Sequence, residues 1–183
     1  MPVAQLQGLT SSRAFYPRVT HTIETLPSWH PCAKIHGHDV RIAVVMNWPA
    51  PDADPAAASA GGGATVVRGD GVAVPTDQTF TAFETALHLV ELDIQTTGHL
   101  NELGGTITAN ADWMFLARYV HTFISSRLPE ALTAGLTVIV EAVDLRARRG
   151  STIERWPQPD AGEPVLFPLP DPVLWPADRA HEL

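Results

Sequence analysis

His36-Gly37-His38 runs directly into Val40, Ile42, Val44 and Val45. No other stretch constrains the fold as much. The apolar residues that follow make this stretch the entry into a β-strand. In a strand, side chains at i and i+2 share a face, so both imidazoles project together. Gly37 between them is expected to allow close backbone approach. Two neutral imidazoles on one face form part of a zinc site, with Zn–N bonds of about 2.0–2.1 Å. A third ligand has to come from another segment. His21 ends an earlier strand-like run, Arg13 to Thr22, which can pair antiparallel with the first. A His-x-His pair alone is also common without any metal; the third histidine is what strengthens the reading.

Cys32, the single cysteine, lies four residues before His36. A thiol beside a cation has a lowered pKa and reacts as thiolate, whereas a small buried cysteine is often inert. His21, then Cys32 eleven positions on, then His36-Gly37-His38 resembles the signature of the 6-pyruvoyltetrahydropterin synthase family. That family includes the 6-carboxytetrahydropterin synthases. The similarity runs from Phe15 to Glu141. It implies that His21, His36 and His38 bind Zn2+ and that Cys32 is the catalytic base. It also implies an α+β tunnelling fold: a four-stranded antiparallel sheet with two helices on one face. Sheets of neighbouring subunits would join into a barrel, two trimers would stack as a homohexamer, and sites would lie between subunits.

The remaining segments fit one such domain over 1–150. The 183 residues can bury a core, and 45% hydrophobic with 17% charged residues is a globular composition. A net charge of −8 argues against a nucleic-acid partner. One cysteine excludes an internal disulfide framework, and the sequence lacks a signal-peptide pattern or an apolar run of about 20 residues. The expected location is cytoplasmic, with no membrane partner. Residues 49–65, rich in proline, alanine and glycine, read as a flexible loop insertion.

Phe80, Phe83, Leu87 and Val90 mark an amphipathic helix that Asp77 could cap and that should end near Asp93. A second helix is expected over 111–127 and a strand over Leu136–Val143. One more strand is expected near Val66–Val74 or Ser151–Trp156. Residues 151–183 read as a Pro-rich extension.

The chain also departs from the family pattern. The family's Leu-Asp-His motif appears as Leu92-Asp93-Ile94, and His99 follows before Leu100-Asn101. Asp93 thus survives as half of a catalytic Asp-His pair. Isoleucine cannot move a proton, so His99 would have to replace the missing imidazole, within about 3.2 Å of its partner. A family glutamate is also missing from Thr106–Asn110. Glu141 stands where the resemblance places a pterin anchor, and two carboxylate oxygens match two parallel N–H donors.

Three readings follow. The first is a zinc-dependent carbon–oxygen lyase acting on dihydroneopterin triphosphate with Cys32, Asp93 and His99. The second is a homologue that keeps a pterin-like ligand but lacks the standard synthase activity. The third is an oligomeric structural or regulatory protein that uses its tail. The intact Cys32 and histidines favour the first, the broken Asp-His pair the second.

Overall fold

The computed structural model describes residues 9–48, 65–67, 73–105, 107–144 and 149–157. Its centre is one antiparallel sheet. β1 (Thr10–Phe15) and β2 (Arg18–His21) both pair with β3 (His36–Asn47); β3 pairs with β6 (Leu136–Asp144), and β6 with β7 (Arg149–Trp156). β4 (Thr65–Val67) and β5 (Ala73–Pro75) form a separate two-stranded ribbon.

β1 and β2 are the two halves of the single first strand expected from sequence. The break falls at Tyr16-Pro17, because proline has no N–H to give to the ladder. The register is unchanged across it: Phe15 lies opposite Ile42, and Arg18 opposite Asp39. The strand also starts at Thr10, within the stretch that precedes the expected start at Arg13.

On β3, Val40, Ile42, Val44 and Met46 face the helices and are fully buried. Two helices cover that face. α1 (Asp77–Thr97) lays Phe83, Ala86, Leu87, Val90 and Ile94 on it; α2 (Trp113–Ser125) adds Leu116, Ala117, Val120 and Ile124. A short helix, α3 (Glu130–Thr133), leads into β6. At the α3–β6 turn, Gly135 accepts from the Asn47 N–H at 2.9 Å, and a Cβ there would strike the Asn47 carbonyl. Gly37, by contrast, would meet only ordinary contacts with a Cβ, so the close approach expected there is not what the glycine serves within the chain.

Two helix boundaries differ from expectation. The cap of α1 is Thr76, whose Oγ1 accepts from the Thr79 N–H; Asp77 is the first helical residue. The helix also runs past Asp93 to Thr97. Ile94 continues the apolar stripe from Val90, and Gly98 closes the helix in a left-handed conformation (φ 65°), its N–H on the Ile94 carbonyl. Both proposed places for a further strand are strands, one in the ribbon and one in the main sheet, and β7 spans position 150. Most of 49–65, and everything beyond 157, lies outside the described residues.

Candidate metal centre

Strand geometry alone brings three imidazoles together. His21 and His36 are direct cross-strand partners in the β2–β3 ladder, so they share a face. His38 follows His36 by two and shares it as well. That face is the helix side, since Val40 is next in the series and fully buried. One ligand nitrogen from each ring falls within 4.8 Å of the others.

Backbone carbonyls fix two of the tautomers. His21 Nδ1 lies 2.5 Å from the Ala111 carbonyl, and His36 Nδ1 lies 2.9 Å from that of Lys34. A carbonyl only accepts, so each Nδ1 carries the proton and each Nε2 presents a lone pair. Those two Nε2 atoms are 3.1 Å apart. Two lone pairs at that distance repel unless a cation sits between them. Tetrahedral zinc with Zn–N bonds of about 2.05 Å holds its nitrogens about 3.3 Å apart. The donor set therefore fits the ion, and the carbonyls supply the usual outer support of ligating imidazoles. Burial lowers the His21 pKa to about 4, against the counter-effect of the Ala111 hydrogen bond and with help from His36 and His38. The ring is thus neutral and ligand-ready at physiological pH.

Asn101, which the sequence reading used only as a landmark, organises the surroundings. Buried, it accepts from the Thr22 N–H at 2.8 Å and donates to the carbonyls of Thr22 and Thr108 at 3.0 and 2.7 Å. It ties the end of β2 to the segment before α2, which carries the Ala111 carbonyl. Trp113, the first residue of α2, stacks on His21 with centroids 4.7 Å apart and meets His38 edge-on at 4.9 Å. Neither contact had a motif to announce it; both depend on where the 107–113 segment returns in space.

The other expected site residues are not members of this three-histidine group. Cys32 sits in a single turn of 3-10 helix (Pro31–Ala33) whose Cys32 carbonyl accepts from Ile23 N–H at 2.8 Å. The turn is thus tied to the chain two residues past His21. Burial pushes its thiol pKa up, not down. Asp93 accepts from the Tyr119 hydroxyl on α2, and burial, with this hydrogen bond, raises the tyrosine pKa. His99 Nδ1 is bonded to Thr20 Oγ1 at 3.0 Å, where Gly98-His99 lies along the outer edge of β2. Asp93 and His99 thus hydrogen-bond to different partners within the chain, Tyr119 and Thr20. Ile94, in the missing histidine's place, is fully buried.

Glu141 is the cross-strand partner of Arg41, with Nη1 and Oε2 3.5 Å apart. Arg41 alternates with Val40 on β3. Glu141 therefore projects from the sheet face opposite the three histidines.

An antiparallel α+β sheet with two helices on one face, and a three-histidine cluster on that same face, define the class. No family model and no curated protein matches the chain. Among solved structures, the fold is similar to that of the Caenorhabditis elegans 6-pyruvoyl tetrahydropterin synthase, with a TM-score of 0.51 and 15% identity. The match covers 84% of this chain and 98% of that one. The chain thus has the tunnelling fold of such synthases. No helix among the described residues is long and apolar enough to cross a membrane.

Proposed function

We propose that this chain is an atypical pterin-binding protein of the 6-pyruvoyltetrahydropterin synthase type, with zinc on His21, His36 and His38. The facing Nε2 lone pairs of His21 and His36 carry this reading, since only a shared cation suits both carbonyl-fixed tautomers. Bound there, zinc would supply Lewis-acid polarisation of substrate hydroxyls. The chain's own residues would do the rest. Glu141 would accept two parallel N–H bonds from the amidine edge of a pterin. Its position on the far face from the histidines requires a ligand touching both to be held by two subunits, which suits a homohexamer with sites at its seams. Cys32 would take or return a proton on the substrate side chain.

The standard carbon–oxygen lyase reaction on dihydroneopterin triphosphate needs a second proton carrier beside Cys32. Asp93 is engaged by Tyr119 and His99 by Thr20. That arrangement favours a protein that holds a pterin-like molecule and performs other chemistry, or only binds it. Titration of the zinc-loaded protein with a dihydropterin, followed by incubation with dihydroneopterin triphosphate, tests this. The expected result is saturable binding, lost in Glu141→Ala, with little or no turnover. Absence of pterin binding in the unaltered protein would overturn the reading.

A further inference from the structure

We infer that Trp113 is a positioning residue for the metal centre: its indole sets the ring planes of two of the three ligands. This rests on the zinc reading above. An imidazole lone pair lies in the ring plane, so rotation about χ2 swings it towards or away from a cation. That torsion is broad in histidine and must be limited by contacts. His36 is limited by its bond to Lys34. His21 is limited by its bond to Ala111 and by the Trp113 ring stacked at an interplanar angle of 29°. His38 meets the same indole at 90°. One aromatic plane therefore faces both rings, flat against one and perpendicular to the other.

The indole is itself well anchored. Trp113 is the first residue of α2, whose cap Asp112 accepts from the Phe115 N–H at 2.7 Å. It packs partly buried against the core. Ala111, the carbonyl partner of His21, is two residues earlier. Three consecutive residues at one helix start thus fix a ligand tautomer, hold the helix and orient two rings.

Cobalt(II) serves as the spectroscopic probe, with zinc affinity measured by competition against a chelating dye. Trp113→Leu keeps apolar bulk but removes the plane; Trp113→Phe restores a plane. Thermal unfolding of the metal-free variants confirms that each is folded. Trp113→Leu should bind zinc about 10–100-fold more weakly, the usual loss when an outer-shell partner goes. It should also shift the visible cobalt bands away from those of a tetrahedral site. Trp113→Phe should recover most of both. Equal affinity and identical cobalt spectra for Trp113→Leu and the unaltered protein would overturn this role while leaving the metal site standing. No cobalt bands in the unaltered protein would remove the metal site itself, and the role with it.

Discussion

His21 joins the stability of the fold to its chemistry. Its folded pKa is about 4, below the unfolded value of 6.5, chiefly because burial penalises the charged ring. Protonation therefore favours the unfolded chain. The contribution is fully present above pH 6.5 and is lost as pH falls from 6.5 towards 4, by roughly 3 kcal/mol at most. His121, whose pKa burial also lowers, acts in the same direction. Urea unfolding of metal-free protein at pH 7.5 and pH 4.5 checks this; equal midpoints would contradict it. The same burial suits His21 to the proposed ligand role, since a ring that resists protons keeps a lone pair for a metal. Cys32 behaves oppositely: desolvation keeps its thiol protonated. Its alkylation by iodoacetamide at pH 7 should accordingly be slower than that of a free cysteine, and faster alkylation would show a thiolate.

At the scale of elements, short polar signals mark where the helices start and close turns fix how the strands meet. Thr76→Ala removes the side-chain acceptor of α1 and should cost about 1 kcal/mol, while Asp77→Ala should cost less, through the helix dipole alone. Equal losses by thermal unfolding would return the cap to Asp77. Gly135→Ala should cost about 1–3 kcal/mol by forcing the α3–β6 turn away from Asn47; an unchanged midpoint would contradict that close approach. The strands and the histidine face were legible in the sequence because an apolar, β-branched run follows His36-Gly37-His38 and residues two apart on a strand share a face; burial itself does not alternate, since Ala43 and Val45 are buried along with Ile42, Val44 and Met46. The Pro17 break was missed, since Arg13 to Thr22 reads as one strand and the register that continues across the break is a property of two strands. Ala111, Asn101 and Trp113 were not legible as site residues. Two act through backbone groups or as ties between segments, and no spacing along the chain encodes which carbonyl a distant imidazole will meet. The partners of Asp93 and His99 within the chain were not legible either. Asp93 lies on α1 and turns to Tyr119 on α2, whereas His99 has passed Gly98 onto the edge of β2.

For the whole molecule, the sheet has two working faces. The histidines share one with the helical core, and the Arg41–Glu141 pair occupies the other. A ligand gripped by both therefore calls for assembly. Coexpressing Glu141→Ala and His38→Ala chains tests it: mixed oligomers should regain pterin binding that neither variant has alone, and no regain would place the whole site in one chain. A truncation designed to probe the tail should begin after Pro157, because β7 reaches Trp156 and an earlier cut removes a sheet strand. Everything functional, however, depends on the convergence of three imidazoles. The most direct measurement is zinc per chain after saturation and exhaustive dialysis, in the unaltered protein and in His36→Ala. One zinc per chain, lost in the variant, is expected. Fewer than about one zinc per three chains in the unaltered protein, or equal content in both, would contradict the account.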